Sequence, residues 1–488
     1  MSTNTPGHES SPLRPNRRGF LAASAVAAAA GAASIAAPGT AFADTADFTK
    51  GWPSGPGQLI RPQAPDRELL EILQSLDRDR MRATVAKLTT FGTRHTLSSQ
   101  TDPARGIGAA RDWLLAEMTG NAAPSGGRMT VALQSYTQPP ASRIPTPTVI
   151  TNVVATLQGS VTPNRIYVVS GHYDSRVTDI MNFTSDAPGA DDDASGVAAV
   201  VEMARVMATR NPKSTIVFVA VAGEEQGLFG ANFMASQFRA ANADVQGMFT
   251  NDIVGSPVAD DGTRDPHALR LFAEGVPTTE TPQQTAVRQA EGSEADSPGR
   301  QLARFVTNVA NNSATNMSVH IIYRRDRYLR GGDHIAFLQH GYPAARFTEP
   351  HENFAHQHQD TRVDANGVQF GDLIEFCDFD FIQRVAKVNA AAMWSLANGP
   401  GTPKNAVLDD SALSNSSTLR WDANPDPDIA GYEIVWRPCT EPDWTHAIPV
   451  GNVTTFTVPL AKDNVFLGVR AVNTAGKHSP VAFPTPVF

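Results

Sequence analysis

The sequence is short of cysteine, of excess basic charge and of long apolar runs, and each shortage excludes something. Two cysteines, Cys377 and Cys439, occur in 488 residues. No disulfide framework holds such a chain. The two could pair in an oxidising compartment. The reading preferred here makes Cys377 a buried small hydrophobe in the helical run LIEFCDFDFIQRV and puts Cys439 in a separate domain. Lysine and arginine number 40 against 49 aspartates and glutamates, for a net charge of −9. No basic run lies outside the extreme N-terminus, so a nucleic-acid partner is not expected. The one long apolar stretch, FLAASAVAAAAGAASIAA, is too rich in Ala and Gly to span a bilayer comfortably. What remains, 41% hydrophobic and 18% charged residues, fits a soluble globular protein long enough for two domains.

The N-terminus is instead read as an address. Arg17 and Arg18 precede Phe20 and Leu21, the Ala-rich run follows, and Ala41-Phe42-Ala43 stands where a cleavage site belongs. This resembles a bacterial twin-arginine export signal, residues 1–43. The mature chain is therefore expected to be periplasmic or secreted, with no membrane span.

Residues 44–64 read as an extended lead-in, and helical periodicity begins at Asp66 and again at Ala104. Apolar strands then alternate with helices: RIYVVSGHYDS, ASGVAAVVEMARVMAT, STIVFVAVAGEEQG, VQGMFTNDIVG, ADSPGRQLARFVTNVANN and YPAARFTEP. The strands are continuous apolar runs, so both faces of their sheet should be covered. The expected fold is α/β, a mixed, largely parallel sheet flanked by helices, over residues 44–400. Gly, Pro and Asn cluster in LANGPGTPKNAV as in a linker. Short strands without helices follow over 406–488, a small all-β sandwich.

Ligands bind beyond the carboxyl ends of strands in an open parallel sheet. Each apolar run here ends in metal-capable residues: His172 and Asp174, Glu224 and Glu225, Asp252, then His351, His356 and His358. Asp191, Asp192 and Asp193 lie between the first strand and its helix. Helix capping accounts for one or two of these three adjacent carboxylates and leaves at least one looking for a cation. Histidines and carboxylates without thiolates suit zinc. There are too many for one tetrahedral ion, and the set suits two ions sharing a carboxylate.

In order and rough spacing, GHYDS, GADDDASG, AGEEQG, ND and HQHQDT resemble the M28 family of zinc aminopeptidases over about residues 80–395. The resemblance implies two zinc ions and peptide substrates with a free N-terminus. It makes His172, Asp192, Glu225, Asp252 and His356 the ligands, with Asp192 bridging. Glu224 matches the general base, and Asp174 the carboxylate that orients His172. Counting back from Asp360 selects His356 over His358. Asp191 and Asp193 are then capping or supporting groups, His351 and His358 rim residues, and His95 a structural histidine. Asp333 and His334 line the pocket. Ala355 stands where some members have an oxyanion-binding tyrosine, which leaves Tyr323, Tyr328 and Arg330 as substitutes. A carboxypeptidase, a glutaminyl cyclotransferase or an inert exported binding protein remains the alternative. LRWDANPDPDIAGYEIVWR and FLGVRAVNTAGKHSP resemble a fibronectin type III domain, although Val465 and Phe466 replace its usual tyrosine. Such a sandwich would be free to bind a surface or a polymer.

Overall fold

The computed structural model describes residues 51–411 and 413–487; residues 1–43, read above as an export signal, lie outside them. The described chain opens on a two-residue strand, β1 (Gln58–Leu59), followed by α1 (Arg67–Ser75) and α2 (Arg78–Thr89). The periodic stretch from Asp66 is thus two helices. Asp66 and Asp77 each accept hydrogen bonds from the first amides of the helix that follows, and the second cap starts a new helix where the first could have continued.

After α3 (Ile107–Ala122), eight strands build the central sheet. They are β2 (Met129–Gln138), β3 (Thr148–Leu157), β4 (Thr162–His172), β5 (Ser214–Val221), β6 (Asp244–Asn251), β7 (Ala268–Phe272), β8 (Ser318–Ile322) and β9 (Ala344–Thr348). Their spatial order is β2-β3-β5-β4-β6-β9-β7-β8. β5, β4, β6 and β9 are mutually parallel, whereas β3 joins β5 and β7 joins β9 antiparallel. The helices are α4 (Gly196–Met207), α5 (Phe229–Ala240), α6 (Pro282–Glu291), α7 (Pro298–Ala310), α8 (His334–Gln339) and α9 (Phe379–Asn398). The larger apolar core joins one sheet face to α2, α3, α4, α7 and α9. On the other face, Ala231, Met234 and Ala235 of α5 and Phe337 and Leu338 of α8 cover Val168, Val217 and Val219. Every residue of β5 is buried, as its unbroken apolar run requires.

The chain leaves β4 for β5 on one side and then crosses to β6 on the other, so the connections diverge at β4. Two glycines let α4 lie directly on the strand ends there. A Cβ on Gly171 would meet the Val197 nitrogen at 2.5 Å, and one on Gly196 would meet the Asn251 oxygen at 2.5 Å. This close approach carries the aspartates preceding α4 to the ends of β4 and β6.

A hairpin, β10 (Arg362–Val363) and β11 (Gln369–Phe370), precedes α9. Cys377 is half-buried just before α9, whose N-cap is Asp378, and Cys439 is exposed; both are free thiols. The C-terminal strands are β12 (Val407–Asp409), β13 (Ser417–Arg420), β14 (Ile429–Pro438), β15 (His446–Gly451), β16 (Thr455–Val458), β17 (Val465–Asn473) and β18 (Thr485–Val487). They form two four-stranded sheets, β1-β15-β14-β17 and β16-β13-β12-β18, around Leu419, Trp421, Tyr432, Ile434, Trp436 and Val469. The lead-in therefore supplies an edge strand to the C-terminal region, and the Trp436 indole N–H donates to the Pro56 carbonyl at 2.8 Å.

The Gly/Pro-rich segment after α9 is packed. Gly401 N donates to Asp426 at 3.3 Å and Thr402 N to Gln246 at 3.1 Å. Arg165 of β4 grips both oxygens of Asp426 at 2.7 and 2.8 Å, and both side chains are buried. Buried Asp296 takes Arg304 at 2.9 Å and Arg437 of β14 at 2.6 Å. Removing one partner strands a buried charge. Asp426→Ala should therefore cost about 3–5 kcal/mol in urea unfolding. Lys404→Ala breaks an exposed pair with Asp244 and should cost less than about 1 kcal/mol.

Candidate metal centre

β4 ends on His172, fully buried at the mouth of the sheet. Its backbone N–H donates to Asp193 Oδ2 at 2.9 Å, and its Nδ1 lies 3.1 Å from the Asp174 carbonyl oxygen and 3.5 Å from the Asp174 carboxylate. A donor on Nδ1 leaves the Nε2 lone pair facing the site. The Asp174 carboxylate accepts the backbone amides of Glu224 at 3.3 Å and Glu225 at 3.1 Å, and the Thr96 hydroxyl at 3.1 Å. Asp174 thus ties the end of β4 to the turn after β5.

The three adjacent aspartates have separate tasks. Asp193 also accepts from Gly196 N at 3.1 Å, where α4 begins. Asp191 accepts from Gly255 N at 2.6 Å, and burial pushes its carboxyl up to about 7. Asp192 alone turns into the cluster: Oδ1 lies 3.0 Å from His172 Nε2 and Oδ2 2.8 Å from His358 Nε2. Its position is set from behind, because Asp372 accepts the Asp191 and Asp192 amides at 2.7 and 2.8 Å. Arg94, wholly buried, donates to the Tyr173 carbonyl at 2.7 Å and the Gly189 carbonyl at 2.8 Å.

Two three-residue groups result: His172, Asp192 and Asp252, and Asp192, Glu225 and His358. In each, the potential ligand atoms lie within 4.8 Å of one another. Asp252, just beyond β6, pairs with buried Arg346 at 2.8 Å, and Glu225 with Arg176 at 2.8 Å. Glu224 is partly open to solvent, and among the described residues nothing hydrogen-bonds its carboxylate. Desolvation holds that carboxyl well above its usual range; Asp252, Glu225 and Asp333 add to the effect and His172 opposes it.

The structure corrects one residue. His356 is not in the cluster: its ring stacks on Phe376 at 3.4 Å between centroids. His358, two residues on, takes the place beside Asp192 and Glu225. His358 has a left-handed backbone (φ 53°), a local turn that no count along the chain reveals.

His95 is structural, as expected: its Nδ1 accepts from Leu97 N at 3.0 Å and its Nε2 lies 2.9 Å from the Ile180 carbonyl. His351 pairs with Asp265 at 2.6 Å. His334 is buried, with Nε2 2.7 Å from the Arg325 carbonyl, and burial pushes its pKa down to about 4. Asp333 is buried with no hydrogen bond to either oxygen, and burial is the main reason its carboxyl rises to about 8. Tyr323 lies under Arg300, Tyr328 beside Arg324, and Arg330 is tied to Glu352 and Gln357. None of these three hydrogen-bonds a member of the cluster among the described residues. Sequence reasoning missed Arg176, Arg346, Arg94 and Asp372. Arg176 directly follows GHYDS, so its neighbourhood was legible; Asp372 is remote and no spacing marks it.

The pattern of Peptidase family M28 matches residues 152–371. A "Probable zinc metalloprotease" of Pyricularia oryzae is 55% identical over 89% of this chain and 88% of its own. Another of that name, from Pyrenophora teres f. teres, is 52% identical over 93% and 94%. These relatives are fungal, not the bacterial members to which a twin-arginine signal points. The Legionella pneumophila LapA aminopeptidase structure aligns over 70% of this chain and 78% of its own, at 17% identity and a TM-score of 0.49. The Porphyromonas gingivalis glutaminyl cyclase structure aligns over 65% and 98%, at 18% identity and a TM-score of 0.45.

The two histidines separate cleanly by experiment. His358→Ala should lower zinc content measured by atomic absorption, whereas His356→Ala should leave it unchanged. The reverse result would return the ligand to His356.

Proposed function

The chain belongs to peptidase family M28 and is a zinc metallopeptidase, and we propose that it is an exported aminopeptidase working with two zinc ions. One observation carries the two-ion reading: the two oxygens of Asp192 face different histidines, each with its own further carboxylate. The donor set fits the metal, being imidazole and carboxylate without thiolate. Glu225 Oε1 fits it too: this buried oxygen lies 3.1 Å from His358 Nε2 yet has no hydrogen bond, an arrangement that a cation would complete.

In this reading His172 and Asp252 would hold one ion, Glu225 and His358 would hold the other, and Asp192 would serve both. When bound, such ions polarise a peptide carbonyl and bring the pKa of a water toward neutrality. The chain's own work is proton handling. Glu224, with no hydrogen-bonding partner on its carboxylate, takes the proton of the attacking water and returns it to the leaving amine nitrogen. Asp174 holds Glu224 and Glu225 in place through their amides.

The restriction to N-terminal residues rests on the M28 resemblance of the motifs. The export reading rests on Arg17, Arg18 and Ala41-Phe42-Ala43. The fibronectin-like reading rests on GYEIVW in β14 and VRAVN in β17, which pair antiparallel.

A panel of free-amine and N-blocked peptides, assayed with and without chelator, tests the activity. Chelator-sensitive release of N-terminal residues from free-amine peptides only is expected; cleavage of blocked peptides would overturn the aminopeptidase reading. Glu224→Gln should keep the zinc content and lower kcat by about 10²- to 10⁴-fold; unchanged kcat would remove Glu224 as the base.

A further inference from the structure

The chain carries more acid than base, yet one short segment beside the metal centre reverses that balance. YRRDRYLRGG, residues 323–332 between β8 and α8, holds four arginines and one aspartate. Two contacts fix it to the centre. The Gly331 carbonyl accepts from Arg346 at 2.6 Å, and Arg346 pairs with Asp252 at 2.8 Å. Arg330 Nη2 donates to Gln357 Oε1 at 3.0 Å, one residue before His358. His172, Asp192, Glu225 and Asp252 are at most 5% exposed, whereas His358 is 23% exposed. The centre therefore opens on the side of His358, where Arg330 lies.

The arginines of this segment divide into held and free. Glu352 accepts from Arg270 at 3.2 Å, Arg327 at 3.4 Å and Arg330 at 2.5 Å. Asp326 accepts from Arg327 Nε at 3.2 Å and from Arg346 at 3.4 Å. These bonds pin the segment from within. Arg324 and Arg325 point outward: both are exposed, and neither guanidinium forms an ion pair or hydrogen bond among the described residues. Arg324 stands 5.5 Å from the Tyr328 ring. Tyr328, Leu329 and, from the loop that carries His358, Phe354 are exposed as well. An anchored backbone thus presents unpaired guanidinium groups and apolar surface beside the opening of a peptidase centre. The anions that peptides ordinarily carry are carboxylates, which the planar guanidinium fork grips with two parallel N–H groups. The buried acids and histidines take the reacting end of a substrate, so a segment outside them meets the residues that follow the cleaved bond.

We propose that Arg324 and Arg325 form a subsite for a carboxylate on the substrate beyond the bond that is cleaved. Peptides with an acidic side chain, or their own C-terminal carboxylate, a few residues from the N-terminus are then preferred. The proposal rests on the aminopeptidase reading above and adds a substrate class to it.

Peptides of one parent sequence test this with the zinc-loaded full chain. They are a neutral C-terminal amide, the same amide with Asp or Lys at the second, third or fourth position, and the neutral peptide with a free C-terminus. At low salt the best Asp peptide or the free-carboxylate peptide should exceed the neutral amide in kcat/KM by about tenfold, chiefly through KM. The gap should narrow at high salt. A gain confined to the free C-terminus assigns the subsite to chain ends, and a gain confined to Asp peptides assigns it to side chains; either supports the proposal. The double variant Arg324→Ala, Arg325→Ala should bring the acidic-to-neutral ratio close to one with its zinc retained. Arg324→Glu with Arg325→Glu should turn the preference toward the Lys peptides. Lys404→Ala, which removes a positive charge from the opposite, amino end of β6, should leave the ratio as in wild type. Equal kcat/KM for acidic and neutral peptides in wild type, or a ratio that survives both double variants, overturns the proposal. Calorimetric binding of the same peptides to Glu224→Gln gives a readout that needs no turnover. Tighter binding of acidic peptides that both double substitutions abolish, without release of any N-terminal residue by wild type, keeps the subsite and overturns the aminopeptidase reading. Equal binding of acidic and neutral peptides overturns the subsite whatever the activity.

Discussion

Everything at the carboxyl end of the sheet depends on holding one buried carboxylate, Asp192, between two histidines. The surroundings are hostile to it: Asp174, Asp191, Asp193, Glu225, Asp252 and Asp333 are all buried close by. Carboxylates out of water are tolerated only when they are hydrogen-bonded, paired or neutralised. The structure divides its acids accordingly. Asp193, Asp372 and Asp174 are satisfied largely by backbone amides, and each of them thereby fixes a loop. Asp252 and Glu225 each face an arginine. Asp192, with a histidine on each side, is the carboxylate common to both three-residue groups.

Rigidity follows from the same arrangement. The loop carrying Asp192 is pinned by Asp372 from one side and by the buried guanidinium of Arg94 from the other. The turn carrying Glu224 and Glu225 is pinned by Asp174. Glu224, whose carboxylate accepts no hydrogen bond among the described residues, is left unpinned at its tip. Positions of this kind are where a site's chemistry and its stability pull apart.

The catalytic body does not end where its sheet ends. Buried ion pairs run from β4 to Asp426 and from α7 to Arg437, and the lead-in adds β1 to the C-terminal sheet. The first and last described parts of the chain are therefore joined to each other as well as to the sheet between them. Charged groups buried at such a junction specify one docking geometry, since any slip would leave a charge unpaired.

The sequence by itself determined the α/β architecture, the zinc-metallopeptidase family and most of the cluster. These are written in local patterns: apolar runs that must be covered on both faces, and His, Asp and Glu at the strand ends that face a common cleft. GHYDS, GADDDASG, AGEEQG and ND each place their residues at a strand end or in the turn beside it, so His172, Asp192, Glu224, Glu225 and Asp252 were legible. The edge strands were less so, because β7 and β8 have only five residues each, and β1 owes its existence to a partner almost four hundred residues away. Only the tertiary structure decided between His356 and His358, since the choice turns on a left-handed residue and a stacked ring in an irregular loop. It also decided the arginines. Whether Arg176 or Arg346 meets a ligand depends on how separate loops converge in space, and no one-dimensional spacing encodes that.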